Sequence, residues 1–345
     1  MMLGIFKDPN MQRSIREIGS EFWIDNVPAS MTAERDGLYT ISGRTAIDLI
    51  LQDILKKRPV KNVAMPAWCC ESMIAPFVAH GIMIEFYDIC HTEITDDTDV
   101  FYLTNYFGYE NTLPLGEVKT IKEQGSIILY DRTHSFLMDD ESYIQLADYC
   151  FASIRKWMGV IGGAVVEGVN DYCMKPCPYL SCKEEAMRIK KAFIEGVKGI
   201  NKQAYLKLFS EFGHHLAVDY RDYEMDDLSY ALYKDADLRT IRERRRENAA
   251  YLHKHLKGVR FLGKFTERAV PLFVPVLFET KEQRNYVRKK LIEASIYCPI
   301  HWPKPTQIPT DFDVNNIYNT ELSLICDQRY NLTDMDRLVT LINGL

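Results

Sequence analysis

Residues 126–163 read SIILYDRTHSFLMDDESYIQLADYCFASIRKWMGVIGG. An apolar run, Ser126-Ile127-Ile128-Leu129-Tyr130, ends in an acid, Asp131. After a variable connector, a second apolar run delivers Ser153, Arg155 and Lys156 just before a glycine-rich turn. Short apolar runs closed by polar residues or glycines are strand signals, and strands apolar on both faces belong to sheets covered on both sides.

The chain on either side keeps this rhythm. Leu38 to Ile41 reads as a short strand running through Ser42-Gly43 into a helix patterned by Ile47, Ile50, Leu51, Ile54 and Leu55. Val60–Met65 is a strand stopped at Pro66, and Trp68-Cys69-Cys70-Glu71-Ser72 opens a helix that ends at His80-Gly81. Strands at Ile82–Tyr87, Val100–Leu103 and Ile127–Tyr130 follow. The alternation indicates an α/β chain with a mainly parallel central sheet covered by helices, whose ligand lies at the carboxyl ends of the strands. Gly43, Trp68, Asn105, Asp131 and Lys156 all fall at or just past such ends.

Other segments are less regular. Residues 1–35 are mixed, with a helix expected near Gln12–Ile18. Residues 170–235 are helical and polar, and Asp237–Leu256 reads as a long surface helix with Arg239, Arg242, Arg244, Arg245 and Arg246 either as a solvated face or as an anion site. Val270–Leu277, Ile296–Cys298 and Leu322–Cys326 (strands), with Lys281–Ala294 and Asp334–Ile342 (helices), form a compact α+β set. This divides the chain into a large domain with an N-terminal arm, 1–235, and a connecting helix with a small C-terminal domain, 236–345.

At 345 residues the chain exceeds the size at which a single core stops growing, which agrees with two lobes. A hydrophobic content of 47% and a charged content of 26% are ordinary for a globular protein, and a formal net charge of −6 argues against general nucleic-acid binding. The start has no uninterrupted apolar segment, and no stretch is long and apolar enough to span a membrane, so neither secretion nor membrane insertion is expected. The nine cysteines lack zinc-site spacing, so no metal is expected and reduced thiols in a cytoplasmic protein are the reading.

Lysine, aspartate and serine so placed are the parts that a pyridoxal 5'-phosphate (PLP) site requires. The lysine forms the Schiff base with the cofactor aldehyde, the acid keeps the pyridine nitrogen protonated, and the serine contacts the phosphate. The helix start at Gly43, with free amides and the positive end of the helix dipole, suits that phosphate, although Ser42 or Thr45 capping an ordinary helix explains the same pattern. Taken singly, Lys156 reads as a surface lysine, His134 as a core histidine and Asp131 as a helix cap; the joint occurrence of strand-end Asp131, His134 at plus three and Ser-x-Arg-Lys before glycines reverses that preference toward the cofactor site.

Nine segments in order, GSEFW, SGRTAI, PAWCCESMIAPFVAHG, LTNYFGY, DRTHS, SIRKWMGVIGG, RRENAAYL, YCPIHWP and LSLICDQRY, make nearly the whole chain resemble the DegT/DnrJ/StrS group of fold-type I PLP-dependent aminotransferases. The resemblance implies that Lys156 holds the cofactor and shuttles the proton, and that Asp131 pairs with the pyridine nitrogen. It also implies that His134 lies near the phenolic oxygen, that the Gly43 and Arg44 amides with the Ser153 hydroxyl hold the phosphate, and that Trp68 stacks on the ring. Arg329 is implied either as the carboxylate-binding arginine of the small domain or as a partner of Asp327. His301 either faces the substrate or packs in the turn before Pro303.

The chain departs from the group at three places. Cys70 stands where many members carry an aromatic, with Trp68 two residues earlier; Phe151 stands where the phosphate serine often is; and the glycines after the lysine, Gly159, Gly162 and Gly163, have altered spacing. The expected activity is transfer of an amino group from an amino-acid donor to a keto or aldehyde carbon, such as that of a nucleotide-linked sugar, by a homodimer. The alternatives are a PLP-dependent lyase or other transferase, or a non-catalytic regulator retaining the fold.

Overall fold

The computed structural model describes residues 16–25, 34–89, 98–110 and 113–345. Strands β1 (Ile18–Gly19), β2 (Leu38–Thr40), β3 (Asn62–Pro66), β4 (Met83–Tyr87), β5 (Val100–Thr104), β6 (Ile127–Asp131), β7 (Tyr149–Ala152) and β8 (Ala164–Glu167) are followed by β9 (Arg260–Phe261), β10 (Val274–Leu277), β11 (Ile296–Tyr297) and β12 (Glu321–Leu324). Most of the helix expected near Gln12–Ile18 lies outside the described residues, and Ile18 itself opens β1.

Seven strands form one sheet in the order β2-β8-β7-β6-β5-β3-β4. β7, β6, β5, β3 and β4 are mutually parallel, and β8 is antiparallel to both β7 and β2, so β8 alone runs against the rest. β3 and β5 are buried at every position, as expected of central strands covered on both faces. With six strands running one way, the ends of β2, β3, β5, β6 and β7 open on one edge, where backbone polar groups are left free for a ligand.

Helices Gly43–Lys57 and Glu71–Ala79 pack their apolar stripes on this sheet through Ile47, Ile50, Ile54, Ile74 and Phe77. Helices Leu180–Ile194 and Lys202–Val218 form a hairpin, with Cys182 bonded to the carbonyl of Leu208 and Phe193 against Tyr205.

β12, β10 and β9 make a three-stranded antiparallel sheet with its own core, built from helices Leu238–His255, Lys281–Glu293 and Leu332–Asn343. The N-terminal arm joins this core, since Ile18 is buried in it and β1 pairs parallel with β11. The strand expected over Val270–Leu277 is shortened to β10. Val270 and Leu272 instead donate to the carbonyls of Gly108 and Phe107 at 2.9 Å, which stitches the C-terminal sheet to the large one.

The arginine run is a solvated face only in part, with Arg239 exposed and Arg244 paired with Glu247 at the surface. Arg245 is buried, lies over the Trp157 ring, and donates to the Gln328 side chain and to the carbonyls of Trp157 and Leu272. Among the described residues no helix is long and apolar enough to cross a membrane, and no cluster of His, Cys, Asp or Glu could hold a metal.

Candidate active site

β6 ends in Asp131 and β7 in Ala152, followed by Ser153 and a single turn of 3-10 helix, Ile154–Lys156. Because β6 and β7 are adjacent and in register, with Asp131 opposite Phe151, the two chain ends emerge side by side. Ser42 caps the helix after β2 by accepting from the Thr45 amide, and the first-turn amides of Gly43 and Arg44 then have no acceptor within the helix. Together with Cys70, Thr104, Thr133 and His134 these residues line a cavity of about 140 Å³.

Each polar group in the cavity has a stated environment. Asp131 is buried, its Oδ2 accepts from the Tyr102 hydroxyl at 2.8 Å and its Oδ1 from the Thr133 amide at 2.8 Å. Burial pushes its carboxyl up, against the pull of Thr133, Lys156 and Tyr102. Lys156 has the opposite balance, with burial lowering its ammonium while Cys70 and Asp131 raise it. Among the described residues, no hydrogen bond or ion pair engages the Lys156 Nζ.

The His134 Nδ1 accepts from the Phe107 amide at 3.2 Å, which leaves the proton of the neutral ring on Nε2. Burial, reinforced by Lys156 and His301, holds this ring neutral. Ser153 is 3% exposed, and its hydroxyl is buried without a hydrogen-bond partner. Its amide donates to Thr133 Oγ1 at 3.1 Å, so the residue is fixed while its hydroxyl is left open. A Cβ on Gly43 would lie 3.3 Å from the Phe151 ring and 3.6 Å from the Ser153 Cβ, so the helix start approaches the strand end closely.

Trp68 departs from expectation. Its indole is fully buried, stacks on Tyr106 with centroids 4.6 Å apart, and donates to the carbonyl of His301 at 2.8 Å; it does not line the cavity. The position four residues after Pro66, Cys70, does line it, and the aromatics there are Phe151, Phe212 and Trp302, the last with its ring stacked on His134 at 5.7 Å between centroids. The segment after β3 turns its first large side chain into the core, and a residue from the C-terminal lobe fills the vacated side.

A second, larger cavity of about 540 Å³ lies on the other side of Lys156, which with Arg155 lines both. His301 and Arg329 belong to this one. Arg329 is engaged, with Nε and Nη2 on the two oxygens of Asp327 at 2.9 and 2.8 Å and further N–H groups on the carbonyls of Ser20 and Glu21. Of the two readings of Arg329, the ion pair with Asp327 is the arrangement found. The Arg155 Nε is buried without a partner, and Arg288 reaches the cavity wall with its Nε on the Cys298 carbonyl at 3.3 Å.

Tyr102, Thr133, Arg155 and Trp302 were not legible as site residues. Only Arg155 carried a signal, as a second cation beside Lys156 at a strand end.

No family model matches the chain and no curated protein matches its sequence. Solved structures do match. A Streptococcus pneumoniae protein described as a sugar aminotransferase, Spr1654, in its PLP form, superposes with a TM-score of 0.63 at 14% identity, covering 89% of this chain and 86% of that chain. NtdA of Bacillus subtilis with bound PMP gives 0.63 at 15%, covering 89% and 72%. DesI, determined in the presence of its TDP-sugar product, gives 0.63 at 16%, covering 90% and 80%. The chain has the fold-type I architecture of these proteins, a large mainly parallel sheet with a smaller α+β lobe.

Proposed function

We propose that this protein is a PLP-dependent aminotransferase that passes an amino group from an amino-acid donor to a keto or aldehyde carbon, such as that of a nucleotide-linked sugar. The observation that carries this reading is the unengaged amine of Lys156 at a strand end, beside buried Asp131 and within one cavity with the orphan hydroxyl of Ser153. An orphaned buried hydroxyl next to open helix-start amides is an anion cradle waiting for acceptor oxygens. The residues therefore fit the cofactor.

When bound, PLP supplies an electron sink for the carbon that gains or loses the amino group. The chain's own residues do the rest. The Gly43 and Arg44 amides and the Ser153 hydroxyl hold the phosphate. Asp131, kept in place by Tyr102 and Thr133, offers a carboxylate to the ring nitrogen. His134 offers an Nε2–H, held in that tautomer by the Phe107 amide. Lys156, with its ammonium lowered by burial, gives up and takes back a proton near neutral pH more readily than an exposed lysine.

The larger cavity supports an anionic acceptor, since among the described residues neither Arg155 nor Arg288 is in an ion pair and both lie on its wall. DesI, of the same fold, was determined in the presence of its TDP-sugar product. We also infer a large cofactor domain in residues 1–235 and a connecting helix with small domain in 236–345. A cytoplasmic homodimer completes the reading.

The test is borohydride reduction of the PLP-loaded protein followed by peptide mapping. The reading requires the label on Lys156 and none in Lys156→Ala, and requires an amino donor alone to convert the bound cofactor to its amine form. A wild-type protein that binds no PLP overturns it, and light scattering decides the dimer.

A further inference from the structure

β12 alternates Glu321 and Ser323 with Leu322 and Leu324. With a period of two, the leucines enter the C-terminal core and the polar pair faces the turn before Trp302. There the Ser323 amide donates to the Pro299 carbonyl at 3.0 Å and the His301 amide donates to Glu321 Oε2 at 2.8 Å. The side chains continue the chain of bonds. His301 Nδ1 and Ser323 Oγ are 2.8 Å apart, and the same hydroxyl is hydrogen-bonded to Glu321 Oε1. Glu321 and Ser323 have no exposed surface.

Two facts make this more than packing. Among the described residues no ion pair engages Glu321; the nearby Arg284 guanidinium donates to its main-chain oxygen at 2.9 Å instead. A buried carboxyl without a cation is costly where an apolar side chain would fill the space. The other end of the chain is not buried in protein, because the His301 ring lies on the wall of the larger cavity with Lys156. Among the described residues, the rings in contact with it are His134, at 6.0 Å between centroids, and the aromatics Phe107, Phe273 and Trp302.

We infer that Glu321, Ser323 and His301 form a proton relay serving the carbonyl oxygen of the amino acceptor, with His301 touching the substrate and Glu321 holding the proton in reserve. This rests on the aminotransferase reading. Burial holds Glu321 up at about 8, so the reserve is filled at neutral pH, and burial with Lys156 holds His301 down at about 3, so its ring is neutral. With Glu321 protonated, its O–H donates to Ser323, the Ser323 O–H donates to Nδ1, and Nε2–H faces the cavity. One shift along the chain delivers the Nε2 proton and leaves Glu321 ionised.

The balance is as follows. The acceptor carbon bonds to the amine nitrogen and its oxygen leaves as water with the electron pair of the broken C–O bond. The nitrogen loses two protons. One reaches the oxygen directly, and the relay donates the other to the oxygen and recovers its equivalent from the nitrogen, so Glu321 ends protonated.

The first test uses protein labelled with 15N-histidine and no added cofactor, with His301 assigned by its absence in His301→Gln. The expected result is a change from the Nε2–H to the Nδ1–H tautomer as pH rises through about 8, lost in Glu321→Gln and in Ser323→Ala. A His301 tautomer that is constant from about pH 6 to about pH 10, or that still switches in Glu321→Gln, overturns the relay. The second test loads both variants with PLP, brings the cofactor to its amine form with glutamate, and follows its conversion back by excess 2-oxoglutarate as the carbonyl acceptor. Loading on Lys156 as in wild type, with conversion slowed about 100-fold, is expected. Wild-type conversion rates in both variants overturn the relay and leave the aminotransferase standing. Failure of the wild type itself to convert overturns the function, and the tautomer measurement still decides whether the relay exists.

Discussion

Arg329 and Asp327 form a two-bond ion pair whose other donors reach back to the carbonyls of Ser20 and Glu21, while the Arg329 guanidinium lies over the rings of Phe22 and Trp23. The pair clamps the N-terminal arm onto the C-terminal lobe and closes one wall of the larger cavity. Asp327→Asn leaves a buried guanidinium without its counter-charge, which costs about 3 kcal/mol. Urea unfolding should show that loss, and limited proteolysis should cut between Ser20 and Asp25 in the variant but not in the parent.

Ser153 should separate folding from binding. Its hydroxyl is buried without a partner, so Ser153→Ala removes an unsatisfied group and should leave the unfolding midpoint unchanged or slightly higher. A hydrogen bond to a charged phosphate is worth about 1.5–3 kcal/mol, so the same variant should bind PLP at least about tenfold more weakly in a fluorescence titration.

The exchange of roles between Trp68 and Trp302 has a direct check. Trp68→Phe loses the bond to the His301 carbonyl and should cost about 1 kcal/mol of stability with little change in PLP affinity. Trp302→Leu removes a ring that lines the cofactor cavity, and should weaken PLP binding and alter the absorbance of the bound form.

Gly108 should tolerate no side chain. Its φ is +75°, and a Cβ there would lie 2.1 Å from the Val270 carbonyl oxygen. Strain and contact together predict a loss of at least about 2 kcal/mol for Gly108→Ala in urea unfolding. Because Phe107 precedes it, the bond from the Phe107 amide to His134 should be disturbed too, and the His134 ring nitrogens should report this by NMR.

Glu321 gives stability a pH dependence of known sign. In the fold it keeps its proton to about 8, against an ordinary value of 4.5, so the folded chain binds more protons than the unfolded chain between those limits. The contribution is fully present below about 4.5 and is lost as pH rises through about 8. Wild-type stability should therefore fall across that interval, each unit being worth ~1.4 kcal/mol at most, by an amount absent from Glu321→Gln. Equal slopes for the two proteins would contradict the assigned environment.

What the sequence determined by itself was local and periodic. Apolar runs closed by Pro66, Asp131 and the Ser153–Lys156 turn marked strands of a parallel sheet, and in such a sheet all carboxyl ends share one edge, so Gly43, Asp131, Ser153 and Lys156 had to come near each other. That inference needs only strand period, direction and the helix start at Ser42. What only the tertiary structure decided is which side chains from distant segments meet. Trp68 faces the core because Tyr106 and the His301 carbonyl are there to receive it, and Trp302 is brought in its place by a turn more than two hundred residues away. Arg245 is buried because Trp157 and the carbonyls of 271–272 converge on it, although its neighbours in sequence are equally basic. Arg329 is clamped by a residue two positions away and by an arm at the other end of the chain. Glu321 and Ser323 carry no signal of their own in the sequence, and the fold alone sets His301 at the end of their hydrogen bonds and Lys156 across the cavity from it. Periodicity assigns a residue to a face, and packing between faces, which carries no local signal, assigns its partners.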